Sequence, residues 1–265
     1  MSAPRCFVLG GTGFIGSAVA AEAARRGWSV LALSSQTAAS VIGQSCDLLI
    51  NANGNSRKYL AGQDPALDFD QSVRTVARSL HDIRAARYVY LSSSEVYRDS
   101  SRPATSAEDA PPEWEALSPY GFHKRLAETL VRRYAPRWLI LRLAGMLGPG
   151  LRKNAVYDLL TGAPWRLSPD SEFQFLDTRF LAACLFDLLD RPESERGVFN
   201  LAGRGVVSLR QIATGLGAPL PDDPALPTAR CEINVERISS LFAIPATEET
   251  ARAFLAEQRG GGSRP

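Results

Sequence analysis

A short apolar segment near the start of the chain runs directly into a glycine-rich turn, and this junction restricts the fold more than any other feature. The segment from Arg5 to Leu9 is typical of a strand. Gly11-x-Gly13-x-x-Gly16 follows it, with the spacing that permits a tight turn and lets a pyrophosphate approach the backbone. The Ala-rich stretch from Ile15 to Arg26 supplies a helix whose N-terminal amides would face the phosphate. The junction therefore predicts a dinucleotide-binding turn.

Composition and charge exclude several other classes of protein. The chain has 265 residues, of which 45% are hydrophobic, and a formal net charge of +2 without a long basic block, so nucleic-acid binding has no support. The four cysteines and two histidines lack metal-ligand spacing, so no metal site is predicted. No apolar run reaches membrane-spanning length, and nothing at the N-terminus resembles a signal peptide. We therefore expect a cytoplasmic protein that does not bind membranes.

Strands alternate with helices through the first half of the chain. The predicted strands are Arg5 to Leu9, Ser29 to Leu33, Leu48 to Asn51, Tyr88 to Ser92, Trp138 to Leu143 and, later, Gly197 to Leu201. The predicted helices are Ile15 to Arg26, Phe69 to Ala85 and Pro119 to Tyr134. This alternation predicts an α/β fold with a Rossmann-type doubly wound parallel sheet. The connection from Leu33 to Leu48 is short, so one crossover is expected to be missing or reduced.

The alternation weakens after Gly148, where proline and glycine become frequent. We therefore expect residues 1–148 to form the dinucleotide-binding domain, with a strand returning to it near 176–202. Residues 149–258 are expected to form mainly a smaller C-terminal substrate-binding lobe, and residues 259–265 a flexible tail.

A second group of residues carries acid/base chemistry. Three serines end the predicted strand that starts at Tyr88, and Tyr120 and Lys124 share one face of the next predicted helix because they are four residues apart. A tyrosine with a pKa of about 10 is a weak acid and base at neutral pH, and a neighbouring ammonium lowers that pKa. Ser93, at the carboxyl end of its strand, would hydrogen-bond the substrate oxygen. Each feature is common by itself, but their joint occurrence in this order predicts an active site.

Taken together, these motifs resemble the extended short-chain dehydrogenase/reductases, and among them the NAD-dependent epimerases and dehydratases that act on nucleotide sugars. The resemblance covers residues 5 to 210 and rests on GGTGFIG, LLINANG, YLSSSEVY, SPYGFHK, LILRLAGMLGPG, FQFLDTRFLA and GVFNLAG. It implies that Ser93 is a catalytic hydroxyl residue and that Tyr120 is the acid/base. It also implies that Lys124 tunes the pKa of Tyr120 and binds the nicotinamide ribose.

The resemblance also assigns the cofactor site. Besides Tyr120 and Lys124, the residues expected to line it are Gly10, Gly11, Thr12, Gly13, Phe14, Ile15, Gly16, Ser34, Ser35, Asn51, Ala52, Asn53, Ser92, Ala144, Gly145 and Met146. An acidic residue about 20 positions after the glycines would bind the ribose 2′-hydroxyl of NAD. Here Ser34 and Ser35 stand at that place, and small hydroxyls admit a 2′-phosphate. We therefore expect NADP(H) to be favoured modestly over NAD(H), although no arginine follows to bind the phosphate.

The sequence restricts the type of reaction less than it restricts the identity of the cofactor. Sugar 4,6-dehydratases of this family usually place Asp-Glu after the catalytic hydroxyl residue, whereas this chain has Ser94 and Glu95. The epimerase-reductases that make GDP-fucose place a cysteine at the position of Ser94. The resemblance therefore favours a nucleotide-sugar 4-keto reductase or a 4-epimerase. A reductase of a small non-sugar carbonyl compound and a non-catalytic NADP-binding regulator are the alternatives.

Substrate residues and partners are also inferred from the resemblance. The residues expected to contact the nucleotide sugar are Ser94, Glu95, Asn154, Trp165, Arg166 and Arg179, and the arginines supply charge for a diphosphate. The predicted helices Phe69 to Ala85 and Pro119 to Tyr134 correspond to the usual dimer surface of the family, which implies a homodimer. An apolar stripe on the first of these helices is equally suited to face the sheet, so the sequence leaves the oligomeric state open.

Overall fold

The computed structural model describes residues 2–54 and 58–260, and the chain divides into two units. The first unit comprises Met1–Arg98, Pro111–Leu143 and Arg179–Phe199. The second unit comprises Asp99–Ala110, Ala144–Thr178 and Asn200–Pro265. The chain therefore leaves the first unit after Arg98 and again after Leu143, and returns to it each time.

The elements are numbered in chain order. The strands are β1 (Arg5–Leu9), β2 (Ser29–Leu33), β3 (Ser45–Asn51), β4 (Arg84–Ser93), β5 (Trp138–Leu143), β6 (Gly145–Leu147), β7 (Glu172–Phe173), β8 (Phe175–Asp177), β9 (Gly197–Leu201), β10 (Val207–Ser208) and β11 (Arg230–Cys231). The α-helices are α1 (Phe14–Arg25), α2 (Lys58–Gln63), α3 (Pro65–Phe69), α4 (Thr75–Asp82), α5 (Pro119–Tyr134), α6 (Ala155–Thr161), α7 (Thr178–Leu189), α8 (Leu209–Leu216), α9 (Glu236–Ser239) and α10 (Thr247–Gly260). Short 3₁₀ turns lie at Ala38–Val41, Ser94–Val96, Pro103–Thr105, Trp114–Ala116 and Pro192–Ser194.

A six-stranded sheet with the order β2-β1-β3-β4-β5-β9 forms the framework of the first unit. The pairs β1–β2, β1–β3, β3–β4 and β4–β5 are parallel, and every residue of β5 is buried. Strands that are covered on both faces need apolar side chains throughout, which explains the continuous apolar runs in the sequence. The prediction of a Rossmann-type parallel sheet is confirmed.

The connection between β2 and β3 holds only one 3₁₀ turn, Ala38–Val41, which agrees with the reduced crossover predicted from its length. As a result, β2 lies at the edge of the sheet, next to β1. Leu31 and Ile42 are 39% and 60% exposed there. The edge of the sheet near β2 therefore lacks part of the cover that a crossover helix provides.

The helix predicted from Phe69 to Ala85 was wrong at both ends. The structure has α3, a π-helical turn over Asp70–Arg74, and then α4. Helix α3 begins early because the side chain of Asp64 accepts a hydrogen bond from the Leu67 amide at 2.9 Å and a proline occupies the first turn. Residues 84 and 85 belong to β4, because pairing with β3 extends that strand toward its N-terminus. Strand pairing thus overrides local helix propensity here.

The second unit contains two small sheets. Strands β6 and β8 pair in parallel, and β10, β7 and β11 form a three-stranded sheet in that order. The side chain of the buried Gln174 donates to the carbonyls of Gly203 and Ile233 at 3.0 and 3.1 Å, and thereby connects distant segments of this unit. Of the predicted tail, residues 259 and 260 end α10, and the remainder lies outside the described residues.

Across residues 2–54 and 58–260, no helix has both the length and the apolar character needed to span a membrane.

Helix α5 offers a test of local stability. Its N-cap is Ser118, whose Oγ accepts a hydrogen bond from the Gly121 amide at 3.1 Å. Ser118→Ala should lower the free energy of unfolding by about 1 kcal/mol, because an orphan amide loses its partner. Chemical denaturation measures this change. The control Ser17→Ala removes an exposed serine inside α1 and should change stability by less than about 0.5 kcal/mol, and equal losses in the two variants would contradict the capping role.

Candidate active site

The glycine turn between β1 and α1 has the tight geometry that its sequence predicted. Gly10 has a φ of +73°, and a Cβ at Gly16 would lie 2.1 Å from the Gly10 carbonyl oxygen. A Cβ at Gly11 would lie 2.8 Å from the Cα atom of Ala32 in β2. Gly13 caps α1 without a side chain, so the first amides of the helix are left for an anionic ligand. The turn therefore fits a dinucleotide phosphate.

The segment that follows β3 connects this turn to Lys124. Asn53 lies against Gly10, since a Cβ at Gly10 would be 2.8 Å from the Asn53 Oδ1 atom. A Cβ at Gly54 would lie 2.9 Å from the Lys124 ammonium. The side chain of Asn51 is buried and is used internally, because it donates to the Tyr88 hydroxyl at 2.7 Å and accepts from the Asn53 amide at 3.0 Å. The backbone that follows β3 thus extends from the glycine turn to the Lys124 side chain.

The structure brings the three predicted catalytic side chains together. Ser93 ends β4, and its Oγ accepts a hydrogen bond from the Glu95 amide at 3.2 Å and is hydrogen-bonded to the Tyr120 phenol. The ammonium of Lys124 lies 6.0 Å from the centre of the Tyr120 ring and donates to the Leu91 carbonyl at 3.1 Å. All three side chains are buried. A hydroxyl, a phenol and an ammonium therefore lie near one another at the carboxyl end of β4.

The pKa of Tyr120 is raised, not lowered as the sequence predicted. Burial is the main cause, and the negative charge of Glu95 adds to it, while the hydrogen bond with Ser93 opposes the increase in pKa. The expectation failed because sequence spacing gives the position of Lys124 but not the extent to which the phenol is desolvated. The buried surroundings of Tyr120 therefore disfavour its phenolate form.

Lys58 is an active-site cation that the sequence analysis missed. Its Nζ donates to the Glu95 Oε1 at 2.6 Å and lies 6.0 Å from the centre of the Tyr120 ring. Glu95, which was predicted to contact substrate, is thus ion-paired at the edge of the catalytic pocket. The position of Lys58, shortly after the carboxyl end of β3, is the signal that could have identified it.

A buried acid–histidine pair was missed as well. Asp68 in α3 is fully buried, and its Oδ2 lies 2.6 Å from the Nδ1 of His123 in α5. His123 is next to Lys124 in the chain and three residues after Tyr120. Asp68 contributes to the increased pKa of Tyr120. The two residues are 55 positions apart, and no local pattern in the sequence links them.

Ser92 does not point its hydroxyl toward the catalytic pocket. Its Oγ donates to the Glu128 Oε1 at 2.7 Å, which belongs to a buried charge cluster. Arg142 has no exposed surface, and its guanidinium donates to both carboxylate oxygens of Glu128 and to the Tyr97 hydroxyl. Arg125 also donates to the Glu128 carboxylate. This cluster joins β4, α5 and β5 below the catalytic residues.

The predicted 2′-phosphate site is a polar turn after β2. The Ser34 amide donates to the Thr37 Oγ1 at 2.9 Å, and the Gln36 amide donates to the Ser34 Oγ at 3.3 Å. Ser35 is exposed. The turn presents hydroxyl groups and no carboxylate side chain at the end of β2, as its sequence indicated.

Other predicted residues lie in the second unit. Residues 144–146 include the start of β6, and Asn154 caps α6 with an unusual φ of +127°. Its side chain accepts from the Tyr157 amide at 2.9 Å and donates to the Met146 carbonyl at 3.1 Å. Asn154, Trp165 and Arg166 line a pocket of about 180 Å³.

Two further residues that were predicted to contact the substrate belong to the first unit. Arg179 is exposed there, and Ser94 is buried in the turn after β4.

Comparisons with known proteins place these features in context. The model of the NAD dependent epimerase/dehydratase family matches residues 6–162. A UDP-galactose 4-epimerase structure has a TM-score of 0.77 at 18% identity, covering 98% of this chain and 100% of that one. MoeE5 with UDP-glucose and NAD has a TM-score of 0.78 at 20% identity, with coverage of 98% and 100%. RMD from Pseudomonas aeruginosa with NADPH has a TM-score of 0.73 at 19% identity, with coverage of 96% and 99%. No curated protein matches the chain.

The glycine turn gives a prediction for cofactor binding. Gly16→Ala should weaken binding of NADPH and NADH by roughly tenfold or more, because the new Cβ would meet the Gly10 carbonyl oxygen at 2.1 Å. Quenching of protein fluorescence measures the affinity. Gly62→Ala is the matched control, since a Cβ at this glycine of α2 meets nothing within 4 Å. Equal affinities for the Gly16→Ala variant and the wild type would contradict the assigned role of the turn.

The charge cluster gives a prediction for stability. Arg142→Leu should lower the free energy of unfolding by about 3–5 kcal/mol, because the buried Glu128 carboxylate loses its main partner. Arg133→Leu, at an exposed position of α5, should change it by less than about 1 kcal/mol. Thermal and chemical denaturation of both variants measure the difference.

Proposed function

The chain belongs to the NAD dependent epimerase/dehydratase family, and we propose that it transfers hydride at a sugar carbon, as a nucleotide-sugar 4-keto reductase or a 4-epimerase. It has the fold of NAD(P)-dependent enzymes of the short-chain dehydrogenase/reductase type. The observation that carries the proposal is the proximity of the Ser93, Tyr120 and Lys124 side chains, which backbone links to the glycine turn.

The proposed chemistry assigns one task to each side chain. Ser93 donates a hydrogen bond to the substrate oxygen and Tyr120 exchanges a proton with it, while a bound nicotinamide cofactor supplies or accepts the hydride. In the reductive direction, the carbonyl carbon gains the hydride and its oxygen takes the proton of Tyr120, which is later restored from solvent. Lys124 stabilises the phenolate that this step leaves.

The two proposed reactions differ in the proton that moves first. A ketone reductase starts from the protonated Tyr120 phenol, whereas a 4-epimerase begins with the removal of a proton from a sugar hydroxyl. Because a tyrosine with an ordinary pKa is already a neutral phenol at neutral pH, the raised pKa of Tyr120 is compatible with both reactions.

The cofactor is proposed to be NADP(H), with a modest preference over NAD(H). Ser34 and Ser35 supply hydroxyls at the end of β2, where a carboxylate side chain would repel a 2′-phosphate. Similar structures are described with NADPH or with NAD, so the fold accommodates both cofactors.

A nucleotide sugar is the proposed substrate class. In the second unit, Trp165 and Arg166 line the same pocket. An indole ring is suited to stack on a nucleotide base, and a guanidinium is suited to pair with a phosphate. Two similar structures are named for a UDP-galactose 4-epimerase and for a complex with UDP-glucose.

A substrate panel tests the proposed reaction. The purified protein is mixed with UDP- and GDP-linked 4-keto-hexoses and hexoses and with NADPH or NADH, and absorbance of the reduced nicotinamide is followed. Oxidation of NADPH with a 4-keto sugar, with faster turnover than with NADH, would identify the 4-keto reductase. Sugar interconversion without net redox would instead identify an epimerase. Turnover of small ketones and no sugar would identify a non-sugar reductase, and cofactor binding with no turnover of any compound would favour a regulator.

Tyr120→Phe tests the proton-transfer role. The variant should bind NADPH about as well as the wild type, while kcat falls by about 100-fold or more because the proton donor is lost. Tyr134→Phe is the control, because Tyr134 is 50% exposed at the end of α5 and should leave kcat unchanged. Unchanged turnover in the Tyr120→Phe variant would falsify the role given to Tyr120.

A further inference from the structure

The buried pair of Asp68 and His123 lies beside the catalytic residues but is not used by the chemistry above. Asp68 has no exposed surface, and His123 is 7% exposed. The Nδ1 of His123 lies 2.6 Å from the Asp68 Oδ2, and the Ser72 hydroxyl donates to the Asp68 Oδ1 at 3.4 Å. Among the described residues, this interior carboxylate has one close side-chain partner and one more distant one.

The burial of Asp68 makes its contact with His123 energetically important. A buried carboxylate is expensive unless it is hydrogen-bonded or paired with a charge. With Asp68 ionised, its carboxylate oxygen accepts, and the His123 tautomer that completes the contact carries its hydrogen on Nδ1. The ring is also packed edge-on against Phe69, with centroids 5.6 Å apart, so its orientation is restricted on more than one side.

The position of the pair within the fold is specific. It connects α3 to the first turns of α5, and the same turns carry Tyr120 and Lys124. The helical path changes pitch just after Asp68, in the π-helical turn Asp70–Arg74, before α4 continues along α5. A π-helical turn of this kind shifts the register of the residues after it relative to those before it. Of the described residues that precede the π-helical turn, Asp68 is the last whose side chain forms a polar contact with α5.

We propose that Asp68 and His123 are positioning residues of the active site: their hydrogen bond fixes the first turns of α5, and so places the Tyr120 phenol against Ser93. The proposal rests on the proposed function only for the catalytic role given to Tyr120. A displacement of the phenol by one ångström is enough to lower turnover strongly, because proton transfer needs hydrogen-bond contact with the substrate oxygen.

The test compares Asp68→Ala with Asp70→Ala, because an asparagine at position 68 would keep an oxygen that accepts a hydrogen bond from His123. Asp70 is the matched control, since it pairs with Arg74 on the exposed side of the same segment. The protein is isotope-labelled at the tyrosine Cζ atoms, and among its seven tyrosines the Tyr120 signal is identified by its loss in Tyr120→Phe. We expect Asp68→Ala to displace the Tyr120 signal and to lower kcat by about tenfold or more with little change in KM. Asp70→Ala should match the wild type in both measurements.

A second pair of variants keeps the test decisive if Asp68→Ala does not fold. His123→Asn places an amide N–H where the Nδ1 hydrogen lies and should retain most of the wild-type signal position, whereas His123→Leu should displace it. A Tyr120 signal and a kcat that stay at wild-type values in Asp68→Ala and His123→Leu, together with a lower unfolding temperature, would overturn the proposal and make the pair purely structural. The Tyr120 signal needs no substrate, so failure to find a substrate is distinguishable from failure of the pair to position Tyr120.

Discussion

The buried carboxylate of Glu128 is the contact on which the relative placement of Ser93, Tyr120 and Lys124 depends. It accepts hydrogen bonds from Ser92 in β4, from Arg125 in α5 and from Arg142 in β5. The strand that ends in Ser93 is thus joined to the helix that carries the phenol and the ammonium. Because buried charges cannot be separated without a large loss of free energy, this contact keeps strand and helix in one arrangement. A catalytic site needs such support below its reacting groups.

The environment of Tyr120 combines low exposure with paired charges. Two carboxylates, those of Glu95 and Asp68, contribute to its raised pKa, and each has a partner of its own, Lys58 or His123. The Lys124 ammonium lies over the Tyr90 ring, at 4.9 Å from its centre. Charges close to the phenol are therefore compensated locally. In such a site, small movements of one charged partner change the electrostatics at the reacting oxygen more than distant surface charges do.

The sequence revealed the features that local pattern determines, and missed those that depend on distant contacts. The glycine turn, the apolar strands and the helix that opens at Pro119 follow from short-range rules, and the structure confirms them. The pairs Lys58–Glu95 and Asp68–His123 are 37 and 55 residues apart, and only the fold brings their members together. The predicted direction of the Tyr120 pKa was wrong because burial, which spacing does not encode, raises that pKa. The π-helical turn Asp70–Arg74 likewise has no signature in the sequence pattern.

The short connection between β2 and β3 has an evolutionary consequence. Because it contains one 3₁₀ turn and lies at the edge of the sheet, it can grow without displacing any strand from its neighbours. The same connection begins with the hydroxyl groups of Ser34 and Ser35. If Ser34 and Ser35 face the adenosine end of a bound dinucleotide, as proposed, insertions there would remodel the surroundings of that end and leave the distant Ser93, Tyr120 and Lys124 untouched. Nucleotide choice and reaction chemistry would then be separable traits, each open to change by its own set of mutations.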